Sequence, residues 1–344
     1  MASETSSRKD DQLEIVLNGQ VTFLDKSNGF DNYEFLHDAT TGVEIEKIDL
    51  TTEFFGHKIN LPFMISSMTG GSEKSTGINE KLAVVASELG IPIGIGSQRQ
   101  ALENNNYHNS YKIIRKNASD VPVFANIGAA EISLKFNRDD IIKIIDLVEA
   151  DGLIIHINPL QELIQKEGNP QFKDFLQNLS LITAEFDFPV IVKEVGAGIS
   201  KHAAKKLLDS GARGIDVAGA GGTSWAGVEL LRKGEEKSDF WDWGLPTSYC
   251  VRTVSELKAD YNFTLIGSGG LKNGFDIAKA IALGADITAS AKPLLDSLSS
   301  NGAGSVIDLI NGWFDTVRKI MFLTGSQTLS ELDKTKLIPK KNLY

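Results

Sequence analysis

Residues 152–162, GLIIHINPLQE, pass abruptly from a β-branched apolar run into His156, Asn158, Gln161 and Glu162. An apolar strand ending in polar groups is how a barrel presents chemistry at the carboxyl ends of its strands. His156 and Asn158 can hold an anion, Gln161 can orient a ligand or relay a proton, and Glu162 can bind a hard cation. Taken alone, His156 reads as a satisfied structural histidine; the three polar residues that follow it favour a site.

Two further turns suit a phosphate. GSGGLKNG (267–274) follows an apolar run and opens a helical pattern, so its glycines can bring backbone N–H groups against an anion. TASAKP (288–293) closes the next run, and the pair matches the phosphate site many barrels build after their last two strands. Ordinary turn glycines are the alternative. SSMTGG (66–71), GSQR (96–99) and the Asn126 of ANIG put Ser67, Thr69, Ser97 and Asn126 at consecutive run ends, a rim suited to a planar heterocycle. Lys193 ends the apolar run PVIVK, where a bare cation is costly to bury. A flavin compensates it, because an ammonium beside the pyrimidine edge stabilises the anionic reduced ring. A structural ion pair with Glu194 or Asp216 is the alternative.

Eight short apolar runs position these groups: 61–67, 91–97, 121–128, 152–158, 188–196, 213–219, 262–270 and 285–291. Between them lie amphipathic stretches with helical spacing, such as NEKLAVVASELG and SKHAAKKLLDSG, ending in Gly90 and Gly211. Repeated β-α units with runs apolar on both faces mean a parallel sheet, and eight of them favour a closed (β/α)8 TIM barrel over an open doubly wound sheet. The expected division is an N-terminal extension over 1–60 (an arm and strand pair packed on the barrel), a flavin-binding barrel over 61–330 and a frayed basic tail over 331–344. The interval 220–260, with RKGEEKSDFWDWG, is too long for a bare loop and is expected to be a mobile insertion over the mouth.

The 344 residues fit one large barrel. A net charge of −10 argues against a nucleic-acid partner, but it does not forbid an anionic substrate in a locally cationic cleft. The single cysteine, Cys250, excludes an intramolecular disulfide and any cysteine-based zinc site. The polar start MASETSSRKDD has no apolar signal core, and no run is long enough to cross a membrane; a cytoplasmic location is expected.

Together these segments resemble the type 2 isopentenyl-diphosphate isomerases. The resemblance is carried by Arg8-Lys9, SMTGG, GIGSQR, ANIG, HINPLQE, VIVKEVGAGIS, GGTSW, DWGLPTS, GSGGLKNG and LGADI, in order from residue 8 to residue 291. It implies a (β/α)8 barrel that interconverts isopentenyl and dimethylallyl diphosphate, with FMN, a magnesium ion (Mg2+), NADPH as flavin reductant, and a homo-oligomer, commonly a tetramer or octamer. By the same resemblance FMN meets Ser67, Met68, Thr69, Ser97, Asn126, Lys193 and Thr223, with its phosphate against Gly270, Leu271, Ala291 and Lys292. The substrate diphosphate meets Arg8, Lys9, Arg99, His156 and Asn158; Glu162 holds magnesium; Gln161 lies beside the isoprene moiety and Trp225 closes the apolar end. Gln161, Lys193 and His156 are the implied catalytic residues.

Three positions depart from the family pattern: Gln12 stands for a histidine, and Val195 and Ala218 stand for serines. Weaker binding, not lost function, is expected from them. The main rival is an FMN-dependent oxidoreductase of the 2-hydroxy-acid oxidase type. It needs a histidine base late in the barrel, where this chain has only His202 in a helical stretch. A dehydrogenase using a loop cysteine fits no better, because Cys250 lies in a helical pattern and reads as buried and inert. A catalytically silent phosphate-binding barrel has no use for Glu162 and Lys193 together.

Overall fold

A computed structural model describes residues 4–134, 137–235 and 238–343. Each of the eight apolar runs yields a strand: Phe63–Ile65, Ile93–Gly94, Val123–Gly128, Gly152–His156, Val190–Lys193, Gly214–Asp216, Thr264–Ser268 and Ile287–Ser290. They are here numbered one to eight in that order. Neighbours pair in parallel, and strand eight returns to strand one, so the barrel is closed. The strands are shorter than the runs because the glycine- and serine-rich ends peel into the loops of the mouth. At Gly94, a Cβ would lie 2.6 Å from Ser67 Oγ, so the close approach of strands one and two requires glycine there.

Alternation along the strands makes two cores. Ile65, Val123, Ile155, Val192 and Ile215 face the surrounding helices. Met64, Phe124, Ile154, Ile191, Ile266 and Ile287 fill the lumen. The lumen is plugged by the hairpin Thr52–Phe54/His57–Ile59, whose Phe54 and Ile59 are fully buried among those side chains. Phe54 and Phe124 approach to 5.3 Å between ring centroids. With Phe55 against the start of strand six at Gly214, the plug closes the amino end of the barrel. Only the carboxyl end is left open.

That end is covered by the helix Glu4–Asn18, whose Val16 packs with Val228 and Leu295. The first sixty residues thus serve both ends of the barrel. The tail expected to fray is instead tied down: Leu337–Pro339 pairs antiparallel with Tyr33–Phe35. Backbone hydrogen bonds to a segment about three hundred residues away, together with burial of Leu337, hold it, and neither leaves a periodic signature.

The 220–260 interval is likewise more ordered than expected. It contains the helices Trp225–Arg232 and Thr247–Ser255, and Trp241 is buried with its Nε1 donating to the Thr22 carbonyl at 2.9 Å. Residues 236 and 237 of that interval lie outside the described residues. The last long helix, Lys292–Leu323, breaks at Gly302 (φ 81°), leaving a short first segment whose amino end faces the mouth. No helix among the described residues is long and apolar enough to cross a membrane.

Candidate active site

The open end of the barrel holds a cavity of about 450 Å³, within the usual range for a cofactor and small substrate. Every candidate residue named above lines it, from Arg8 and Lys9 through Ser67, Asn126, His156 and Lys193 to Thr223, Gly270, Ala291 and Lys292. Gln12, Val195 and Ala218 line it as well.

Its glycine-rich side is built from loop-to-loop contact. A Cβ on Gly222 would lie 2.7 Å from the Gly270 nitrogen, so the turns after strands six and seven pack backbone against backbone. Thr247 Oγ1 donates to the Gly269 carbonyl at 2.6 Å, and Asn28 Nδ2 donates to that of Gly270 at 2.8 Å. With its carbonyls so engaged, the turn keeps its N–H groups for an anion. The helix beginning at Lys292 has no side-chain cap, so its positive end adds to the same site. Lys292 Nζ is held by Asp296 at 2.7 Å, which shares out its charge.

The rim is one hydrogen-bonded row. Asn126 Nδ2 donates to Ser67 Oγ at 3.0 Å, and Asn126 Oδ1 lies 2.8 Å from His156 Nδ1. Burial, reinforced by the Lys193 charge, pulls the His156 pKa down to about 4, so the imidazole is neutral at pH 7. With Oδ1 of Asn126 as its neighbour, Nδ1 carries the proton and Nε2 presents a lone pair. An anion can therefore bind at Nε2 only if a proton comes with it. On strand five, Lys193 Nζ donates to the Glu194 carbonyl at 2.7 Å and stands 3.8 Å from Asp216 Oδ2.

Beyond His156 the chain turns into the helix Pro159–Ile164, which presents Gln161 and Glu162. Asn158 Nδ2 donates to Gln161 Oε1 and to Glu162 Oε1, each at 3.1 Å. Glu162 Oε2 accepts from Gln165 Nε2 at 2.9 Å and from the Asn169 nitrogen at 2.7 Å. Among the described residues no group of three or more His, Cys, Asp or Glu side chains could hold a metal by itself. The donor set nonetheless suits magnesium: Glu162 is a buried carboxylate, and Asn158 Oδ1 beside it is buried without a partner. Two hard oxygens of this kind need ligand oxygens and water to complete an octahedron.

Sequence reasoning missed Glu229. It is fully buried, and its Oε1 accepts from both Gln161 Nε2 (3.0 Å) and Gln12 Nε2 (2.6 Å). Arg232 Nη1 holds the other oxygen at 2.6 Å. A glutamate inside the apolar run AGVELL, three residues before an arginine, was the available signal. Gln12, which stands where the family pattern has a histidine, thus meets a carboxylate.

The cations at the mouth are also engaged. All three hydrogens of Lys9 Nζ have acceptors: the carbonyls of Gly70 and Ser97, each at 2.7 Å, and Tyr111 Oη at 3.3 Å. Arg99 Nη1 pairs with Glu131 at 3.0 Å. Arg8 Nε is buried without a partner, as a donor awaiting an anion would be. His202, by contrast, is exposed on the outer helix Lys201–Asp209. Cys250 is buried on the helix Thr247–Ser255, and burial with the nearby Glu194 charge pushes its thiol up to about 12, so it is inert.

The closed parallel barrel, with a glycine-rich turn after strand seven and a lysine ending strand five, belongs to the class of the FMN-dependent dehydrogenases, whose family profile matches residues 8–111 and 155–339. Solved structures of like fold include a flavocytochrome b2 mutant with pyruvate bound, with a TM-score of 0.70 and 18% identity over 97% of this chain and 84% of that one. A mandelate oxidase mutant has a TM-score of 0.65 at 15% identity, over 94% of each chain. Among curated relatives, the isopentenyl-diphosphate delta-isomerase of Chlorobaculum parvum is 46% identical over 96% of each chain. That of Nostoc sp. is 42% identical over 96% of this chain and 95% of its own. This chain belongs to the isopentenyl-diphosphate delta-isomerase family.

Proposed function

We propose that the enzyme interconverts isopentenyl and dimethylallyl diphosphate by an allylic proton shift, with reduced FMN and Mg2+ in the cavity and NADPH as flavin reductant. A homo-oligomer, tetramer or octamer, in the cytoplasm is part of the same reading. One observation supports it above others. Along the helix Glu4–Asn18 the cavity is met first by Arg8 and Lys9, a turn later by Gln12 on Glu229, and then by Val16, which packs in one cluster with Trp225. Lys9 to Val16 spans roughly 10 Å of helix, enough to lay a diphosphate at the cationic end and a short hydrocarbon at the apolar one.

The chain's own residues then divide the work. Arg8, Arg99 and Lys9 can orient the diphosphate, the arginines through planar forks that suit its oxygens. Glu162 with Asn158 can hold magnesium against those oxygens. The Gln161 amide is a poor base, and its alignment by Asn158 and Glu229 suits it to steer the alkene and pass a proton. Lys193 would face the flavin's pyrimidine edge, the turn at Gly270 and Leu271 its phosphate, and Ser67, Met68, Thr69, Ser97, Asn126 and Thr223 the rest of the ring system. Reduced FMN, when bound, supplies an acid and base near ring N5 and exchanges no net electrons with substrate. His156, the one histidine among the described lining residues, is held near 4 and is a weak base, and His202 stands exposed on an outer helix, so neither suits the base that a hydroxy-acid oxidase needs. The test is conversion of isopentenyl diphosphate under anaerobic reducing conditions with and without FMN. Activity that survives FMN removal, or bleaching of the flavin by a 2-hydroxy acid, contradicts the proposal.

A further inference from the structure

The lumen carries a carboxylate to which the reading above gives no role. Asp216 ends strand six, registered beside Lys193 on strand five and Ile266 on strand seven. By alternation it faces inward with Lys193, Asn126 and His156, one layer above the apolar Ile191. It is fully buried yet does not line the cavity, so it cannot touch a ligand there. Its Oδ1 accepts from Ser268 Oγ and from the Ala218 nitrogen, the latter at 3.3 Å. Its Oδ2 is buried with no hydrogen-bond partner and lies 3.8 Å from Lys193 Nζ.

Those two anchors on Oδ1 explain where Oδ2 points. At 3.8 Å the contact with Lys193 is a charge pair and not a hydrogen bond. One Nζ hydrogen goes to the Glu194 carbonyl, which leaves the others for the cavity that Lys193 lines. A buried carboxylate with an unpaired oxygen is expensive unless a cation stands against it, and the reverse holds for the ammonium.

We propose that Asp216 is the positioning residue and counter-charge of Lys193: it keeps a buried ammonium aimed at the cavity and sets how much positive potential reaches a flavin there. Burial pushes the Asp216 pKa up, and the Lys193 charge and the two donors on Oδ1 oppose that rise. The proposal rests on the FMN reading for its second half only.

Asp216→Asn is nearly isosteric and removes the negative charge. It should tighten binding of reduced FMN relative to oxidised FMN by about tenfold, a rise of about 30 mV in the two-electron midpoint potential. In FMN-free protein the same change leaves the ammonium unpaired, so the melting temperature should fall. The double variant Lys193→Met/Asp216→Asn, which removes both charges, should recover most of that loss. A mere packing role for Asp216 would give no recovery and no shift in potential. The proposal is overturned if Asp216→Asn melts like the wild type, or if the double variant melts no higher than Asp216→Asn. It is equally overturned if FMN-loaded Asp216→Asn keeps the wild-type potential. Should wild-type protein not bind FMN, the flavin reading fails, while the melting series still decides the pair.

Discussion

Raising the pH from 6 to 8 should make substrate binding both weaker and proton-consuming, because of Lys9. Its ammonium is satisfied by two carbonyls and a phenol, with no carboxylate among its acceptors. Burial, and then the Arg8 charge, lower its pKa from 10.5 to about 7. In the ligand-free enzyme Lys9 is then about 90% charged at pH 6, about half at pH 7 and about 10% at pH 8. A bound diphosphate restores the full charge, so binding takes up about 0.1, 0.5 and 0.9 proton at those three values. Lys9 alone makes affinity fall about tenfold across the window by the same linkage. His156, held at about 4, is unprotonated throughout; a proton drawn to Nε2 by the ligand adds a constant uptake, and with it a further fall in affinity of about tenfold per pH unit, in wild type and Lys9→Arg alike.

The assay is titration calorimetry of the oxidised holoenzyme with isopentenyl diphosphate and magnesium, in paired buffers of different ionisation enthalpy. Lys9→Arg stays charged at every pH and subtracts the ligand's own titration. Equal proton uptake in wild type and Lys9→Arg at pH 6, 7 and 8 would refute the reasoning. Without ligand the sign reverses. Between about 7 and 10.5 the docked helix binds fewer protons than the undocked one, so its docking strengthens as pH rises. Intrinsic-rate-corrected hydrogen exchange over residues 4–18 should therefore slow from pH 6 to 9.

Three further outcomes follow from the geometry. Gln161→Asn should lower turnover by about a hundredfold while FMN content stays unchanged, because the amide is withdrawn from Glu229; equal turnover in a steady-state assay removes Gln161 from the chemistry. Glu162→Gln should weaken magnesium-dependent substrate binding at least about tenfold and leave magnesium-free binding alone, read by titration with and without the metal. Phe54→Ala should destabilise the barrel by about 3–5 kcal/mol in chemical denaturation with little change in KM, since the plug closes the end opposite the site.

The barrel was legible because a parallel strand buried on both faces leaves a short apolar run, and eight such runs survive as eight strands. Part of the cavity lining was legible for a related reason, because polar residues at the ends of those runs must share one rim; Arg8, Lys9, Thr223 and Trp225 lie off the run ends and were indicated by the family resemblance alone. What escaped were contacts between distant segments. Glu229 looked like part of a helix's apolar pattern, and only the fold brings Gln12 and Gln161 to one of its oxygens. That the strand pair within 1–60 would plug the lumen with Phe54, and that the tail would add a strand at Leu337, had no local signal, because each of these strands is three residues long. Lys9 was read as free to meet a diphosphate, because nothing local reveals that the carbonyls of Gly70 and Ser97 converge on its ammonium.

The central claim is that a proton moves on the substrate with no net electron transfer to the flavin. The direct measurement follows photoreduced, FMN-loaded enzyme with magnesium and isopentenyl diphosphate in D2O, with NMR of the substrate and the flavin spectrum recorded together. The account predicts dimethylallyl diphosphate carrying solvent deuterium, over many turnovers, while the flavin stays reduced. Flavin reoxidation in step with substrate consumption, or product formed without solvent deuterium, would contradict it.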